Sequence, residues 1–216
     1  MKKVYFLSGL GADKRGFSFL DLSFCEPIFI DWIKPLNKES LKSYALRLRE
    51  QIPEEHPTVV GVSFGGMLAC EMAKPDPLMN AIIIASSKSA NEFPYYLRVG
   101  KYIPVYKWLP EKLIRSGRSL NWMFGVKDET QKKLVANIVA DIDPYFLKWA
   151  IKAILHWDEK EEPANVKHIH GTADRLLPFR FVKADYKIQG GTHLMSINKP
   201  SEISSLLQKL IYPGSF

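Results

Sequence analysis

The pentapeptide Gly61-Val62-Ser63-Phe64-Gly65 sets a serine between two glycines, with the apolar run Thr58-Val59-Val60 before it and Gly66-Met67-Leu68-Ala69-Cys70 after it. A serine hydroxyl attacks poorly until it is presented to a base, and GxSxG spacing presents it by forcing a strained turn between a strand and a helix. Gly61 and Gly65 carry no Cβ, so neighbouring backbone can approach where a larger residue would clash. Two later segments hold the other groups such chemistry needs: His170-Gly171-Thr172-Ala173-Asp174-Arg175-Leu176-Leu177-Pro178 and Gly190-Gly191-Thr192-His193-Leu194. The base must reach the Ser63 hydroxyl, and an imidazole base needs an acceptor on its second nitrogen to fix its tautomer. Ser63, His193 and Asp174 can fill these roles as nucleophile, base and orienting carboxylate.

Positioning three distant side chains at one point takes an ordered set of strands and helices. Residues 59–62 are short, β-branched and apolar, which suits a strand buried on both faces of a parallel sheet, while Met67, Leu68, Met72 and Ala73 begin a helical pattern. Strands are predicted at 3–7, 27–31, 58–62, 80–85, 166–170 and 184–188. A helix over 40–51 buries Leu41, Tyr44, Ala45 and Leu48 and ends before Pro53, and a closing helix over 201–211 buries Ile203, Leu206, Leu207 and Leu210. The glycines before His193 fit a mobile loop after the last strand.

In this order the motifs resemble those of the α/β-hydrolase superfamily, and the resemblance covers essentially the whole chain. It implies an α/β-hydrolase fold: a mostly or wholly parallel sheet of about six strands, helices on both faces and an inserted helical cap. The core would comprise residues 1–87 and 158–216, and the cap residues 88–157. Carried over residue by residue, the family pattern makes Ser63 the nucleophile, His193 the general base and Asp174 its carboxylate partner. The tetrahedral intermediate then needs two N–H donors, each worth about 3 kcal/mol. One is expected from the backbone N–H of Phe64, whose ring would floor the pocket. The other is expected from Leu10 N–H, in the loop Ser8-Gly9-Leu10-Gly11-Ala12-Asp13, where many relatives carry His-Gly in place of Ser8-Gly9. The first predicted strand already feeds that loop, so the antiparallel hairpin with which the family usually opens is expected to be absent. Only 19 residues separate Asp174 from His193, which predicts a truncated crossover there.

The activity so implied is cofactor-independent hydrolysis of a small-molecule carboxylic ester or thioester through an acyl-enzyme. Lactone or carbon–carbon hydrolysis would use the same residues, because the triad specifies the electrophile and pocket shape selects the leaving group. A ligand-binding or signalling protein on the same scaffold, with weak turnover, is the alternative. Since only a neutral imidazole serves as base, the rate should climb as His193 loses its proton; a profile flat between about pH 5 and 8 would count against that role.

Residues 88–157 contain few β-branched runs and many helical ones, over 94–107, 110–116, 128–140 and 144–157, punctuated by Pro94, Pro104, Pro110 and Pro144. Trp108, Trp122, Trp149 and Trp157 fall here with Tyr95, Tyr96, Met123, Phe124, Tyr145 and Phe146. They form either the core of a small lid or the wall of an apolar acyl pocket. Residues 88–140 hold ten Lys or Arg against four Asp or Glu, a net of +6 out of the chain's +7. That excess is either an entrance that concentrates anionic esters or a solvated face. Nucleic-acid binding is disfavoured, since the basic residues accompany no recognition motif.

Other candidates are weaker. His168 and His170 alternate on a strand without a third ligand nearby, which favours a structural role over a metal site. Glu92 and Asp158 could replace the acid, but Asp174 has the flanking Gly171 and Pro178. Cys25 and Cys70 read as free buried thiols, with no CxxC and no zinc-like spacing. No apolar run approaches the ~20 residues of a membrane span, and Met1-Lys2-Lys3 leads straight into a strand, which points to a cytoplasmic protein.

Overall fold

The computed structural model describes residues 1–102, 117–126 and 128–214. The helix predicted over 110–116, the end of that over 94–107, and Trp108 lie outside the described residues.

Six strands form one sheet in the order β2-β1-β3-β4-β5-β6: β1 (Lys3–Leu7), β2 (Glu26–Phe29), β3 (Thr58–Val62), β4 (Asn80–Ile84), β5 (Val166–Gly171) and β6 (Tyr186–Ile188). Every pairing is parallel, as the sequence leads one to expect. Side-chain alternation splits the interior into two cores. Tyr5, Leu7, Val59, Ala81 and Ile83 face one side, with α1 (Leu41–Arg49) and α2 (Phe64–Ala73). Val4, Phe6, Val60, Val62, Ile82 and Ile84 face the other, with Phe17 and the Pro200–Ile211 helix. A strand so covered is apolar along most of its length, which is why β3, after Thr58, reads Val-Val-Gly-Val and is buried throughout.

The strand order reverses between β1 and β3. After β1 the chain passes to the Phe17 side through a 3₁₀ turn (Lys14–Phe17), whereas after β3 it enters α2 on the opposite side. Diverging connections of this kind open a crevice at the carboxyl ends of the two strands.

Between β4 and β5 lie α3 (Tyr95–Gly100), α4 (Gly117–Phe124), α5 (Glu129–Asp141) and α6 (Pro144–Leu155). Asp128 caps α5 by accepting from Gln131 N, and Asp143 caps α6 by accepting from Phe146 N, with Pro144 at the first helical position. One face of α6, with Phe146, Trp149, Ala150 and Ala153, joins the core beside Tyr44 and Phe64. After β6 come α7 (Met195–Asn198) and α8 (Pro200–Ile211). The segment between Asp174 and β6 contains only a 3₁₀ turn (Phe179–Phe181), which bears out the truncated crossover.

β6 is shorter than the predicted 184–188 for a local reason. The Asp185 carboxylate accepts from His168 N at 2.7 Å and pairs with Lys88 Nζ at 2.8 Å. It thus occupies the place a backbone carbonyl of a longer strand would take. No helix among the described residues is long and apolar enough to cross a membrane.

Candidate active site

Ser63 sits between β3 and α2 with φ 52° and ψ −117°, a left-handed conformation that a non-glycine residue adopts only when its surroundings enforce it. A Cβ on Gly61 would lie 2.4 Å from Gly65 O, and one on Gly65 would lie 2.4 Å from both Leu7 O and Ser8 O. The glycines therefore let α2 start directly against β3 and the end of β1. Gly65 N donates to Ser8 O, Ser63 N to Ile84 O, and Ser86 Oγ to Ser63 O at 2.6 Å, so the turn is fastened from three neighbours. The side chain is left facing out of the sheet edge at the amino end of a helix, where negative charge is favoured.

His193 and Asp174 meet Ser63 there. His193 Nε2 lies 2.9 Å from Ser63 Oγ, and His193 Nδ1 lies 2.8 Å from Asp174 Oδ2. With Nδ1–H donating to the carboxylate, Nε2 presents a lone pair to the hydroxyl. Asp174 Oδ1 accepts from Leu176 N and Leu177 N, each at 2.8 Å. Burial alone would raise the Asp174 pKa, but the charge and hydrogen bond of His193 and the bond from Leu177 N outweigh it and hold the carboxyl below its ordinary value. The acid and base loops are stitched together: Ala173 N donates to Gly191 O, Thr172 N to Ile188 O, and Gly190 N to Thr172 Oγ1. The segment expected to be mobile is thus fastened to the acid loop.

Phe64 opens α2, a position whose N–H finds no partner inside the helix. Leu10 is the second residue of a turn closed by Ala12 N to Gly9 O, and Gly11 at φ 64° makes it a type II turn. Ala12 O in turn accepts from Ser8 Oγ and from Trp32 Nε1. Among the described residues, neither Phe64 N nor Leu10 N has a backbone acceptor. The Phe64 ring departs from expectation. Instead of flooring the pocket it is fully buried against Trp32, Phe146 and Trp149, with ring centroids 5.7, 6.3 and 6.1 Å away.

Ser63 and His193 open onto a cavity of about 370 Å³ whose wall, among the described residues, is mostly apolar. Val135, Ile138 and Val139 of α5 and Leu147, Ile151 and Leu155 of α6 form much of it. Among the described residues, no Lys or Arg lines this cavity; Lys107, Lys112, Arg115 and Lys127, which belong to the basic excess, lie outside the described residues. Of the described aromatics between β4 and β5, Trp149, Trp157 and Phe146 belong to the core, while Phe124 lines the cavity.

The segment between β4 and β5 also docks on the loops that carry Asp174 and His193. Phe124 stacks on the His193 ring at 5.7 Å and 17°. Arg175, next to the acid, donates from Nη1 to Trp122 O at 2.9 Å and lies over the Trp122 ring. Tyr96 Oη donates to Leu176 O. Sequence spacing gives no signal for Phe124 or Arg175, because their partners are far along the chain. The rival acids are excluded by position: Glu92 is buried and accepts from Lys88 N and Lys183 N, and Asp158 is exposed.

His168 and His170 are fully buried and hydrogen-bonded to each other, Nε2 to Nδ1, at 3.0 Å. Among the described residues no group of three His, Cys, Asp or Glu could hold a metal. Burial lowers both histidine pKa values below the ordinary 6.5. The folded chain then binds fewer protons at these rings than the unfolded chain once the pH drops below 6.5, so stability falls with acidification in that window. Asp174 acts in the same sense, but only as the pH falls through its ordinary 3.8, and Glu92, raised by burial, acts oppositely above 4.5. In urea denaturation from about pH 7 to 5, the wild-type midpoint is expected to fall relative to that of His170→Gln, which cannot titrate. A constant difference between the two would remove this account.

No family model and no curated protein matches the sequence. Among solved structures, a hydrolase from Pseudomonas aeruginosa is similar with a TM-score of 0.74 and 9% identity, over 97% of this chain and 89% of that one. An esterase from Thermogutta terrifontis gives 0.73 and 10%, over 98% and 89%. An enol-lactonase from Burkholderia xenovorans gives 0.73 and 12%, over 97% and 91%. The likeness extends over nearly the full length of each partner, and at this identity it shows the architecture alone.

Proposed function

We propose that this chain, which has the α/β-hydrolase fold, is a serine hydrolase that cleaves small carboxylic esters with an apolar acyl group. The observation that carries the proposal is the unbroken series Asp174–His193–Ser63, at 2.8 and 2.9 Å, opening onto a mostly apolar cavity.

Ser63 Oγ would attack the ester carbonyl carbon while its proton passes to His193 Nε2. The imidazolium so formed is stabilised by Asp174, whose charge is preserved by the bonds that lower its pKa. Oxygen acquires negative charge at the amino end of α2, where Phe64 N–H is the first donor and Leu10 N–H the second, each worth about 3 kcal/mol. Collapse of the intermediate returns the proton to the departing alcohol and leaves the acyl group on Ser63. Water, deprotonated by the same imidazole, releases the acid. The helices over the cavity act as a lid that excludes bulk water and shapes the acyl site. The alternative of a binding protein with weak turnover has no specific observation in its favour, because the base is already aligned on the hydroxyl.

A thioester would satisfy the same groups, and the cavity wall speaks to the acyl half in either case. Each methylene buried against Val135, Ile138 or Ile151 contributes about 0.8 kcal/mol, or about fourfold in kcat/KM. On p-nitrophenyl esters, kcat/KM should therefore climb from acetate through butyrate and fall once the acyl chain outgrows the cavity. Hemisuccinate esters, which would bring an unpaired carboxylate against that wall, should be poor substrates beside neutral esters of equal length. Equal rates for acetate and butyrate, or a preference for the anionic acyl group, would sink the apolar-acyl assignment.

A further inference from the structure

We infer that His170 is a positioning residue for the carboxylate of the triad, holding Asp174 in line with His193 through the turn that ends at Leu177. The inference rests on the reading of Asp174 as the partner of the base, and goes beyond it by giving a task to a buried histidine that the mechanism leaves unused.

The direction of the hydrogen bonds is fixed by chemistry. His170 Nε2 lies 2.7 Å from Leu177 O, and a carbonyl only accepts, so Nε2 carries the hydrogen. His170 Nδ1 is then a lone pair and accepts from His168 Nε2–H at 3.0 Å. His170 Nε2 also lies 3.5 Å from Asp174 Oδ2, the oxygen that receives His193. Leu177 is therefore gripped at both ends of its backbone: its C=O by His170, its N–H by Asp174 Oδ1. Take away the imidazole, and the turn 174–177 loses its side-chain tie to β5 and keeps only the long backbone bond from Asp174 N to Gly171 O at 3.4 Å, while Asp174 Oδ2 keeps His193 as its one close partner.

The protonation state suits this task. A cationic ring here would neutralise the carboxylate that has to stabilise the His193 imidazolium. A neutral one orients it and leaves its charge intact. Burial, which keeps His170 below its ordinary pKa, favours the neutral form. His168 serves as the outer link, and Phe179 packs on the His170 ring at 6.2 Å. The same bonds commit the facing nitrogens of the two rings to each other.

The test compares His170→Gln with His170→Leu, alongside Asp174→Asn, on p-nitrophenyl butyrate. Glutamine can place an amide N–H on Leu177 O and an oxygen towards His168, whereas leucine fills the space with neither. The expected result is a loss of about 10²-fold in kcat for His170→Leu at unchanged KM, the scale of a misplacement of about an ångström, with His170→Gln within about tenfold of wild type. Thermal melting separates activity from folding. If the leucine variant does not fold, His170→Asn, whose amide stops short of Leu177 O, takes its place with the same expected loss. A folded leucine or asparagine variant with wild-type kcat overturns the inference, as does a folded glutamine variant as impaired as the leucine one. If Asp174→Asn itself keeps full activity, the triad reading fails instead, and the two failures are told apart.

Discussion

Ser63→Ala is expected to lower kcat on p-nitrophenyl butyrate by about 10⁶-fold, His193→Ala by a similar factor, and the double variant no further, because nucleophile and base act as one unit. The reason is geometric. Ser63 Oγ has His193 Nε2 at 2.9 Å, and either truncation removes the only proton transfer that makes the alcohol a nucleophile. Neither change should disturb the fold, since Ser63 is held by backbone bonds from Ser63 N to Ile84 O and from Gly65 N to Ser8 O. Steady-state kinetics with thermal melts of each variant checks this. Additive losses, or a folded Ser63→Ala enzyme with activity near wild type, would contradict it.

Asp174→Asn is expected to cost about 10⁴-fold in kcat with little change in KM, and the surroundings of the carboxylate explain why an isosteric change is so harmful. Leu176 N and Leu177 N both donate to Oδ1, so an asparagine must keep its oxygen there and turn its NH₂ towards His193. The imidazole Nδ1 would then have to accept, which moves the hydrogen to Nε2 and points it at Ser63. A base with its proton already on the reacting nitrogen cannot take another. A loss of tenfold or less in a folded variant would show that Asp174 does not set the tautomer.

Much of this was legible in the chain. Strands at 3–7 and 58–62 emerge where they were expected, because strands covered on both faces are apolar along most of their length and glycines mark their ends. The order Ser63, Asp174, His193 was readable because each side chain follows a strand of one parallel sheet, and all parallel strands present their carboxyl ends on the same edge. What was not legible depends on three-dimensional docking. Helix α4 ends at Gly125, at φ 70°, with Val126 N donating to Asn121 O, a stop the sequence reading passed over; its end is also held by Arg175 and against Thr192, residues far away in sequence. The Phe64 ring differs from the sequence expectation for a related reason: adjacency to Ser63 says where its N–H is, whereas the side chain follows the helix face into the core shared with Trp149. His170 was visible as a strand histidine, but its partner Leu177 lies across a turn that no periodicity describes.

The most direct measurement is active-site labelling with a fluorophosphonate, followed by peptide mapping of wild type, Ser63→Ala and His193→Ala. The expected result is rapid one-to-one modification of Ser63 in the wild type, none in Ser63→Ala and a rate lowered by orders of magnitude in His193→Ala. No labelling of folded wild-type protein, or labelling that persists when Ser63 is replaced, would contradict the assignment of Ser63 as the nucleophile.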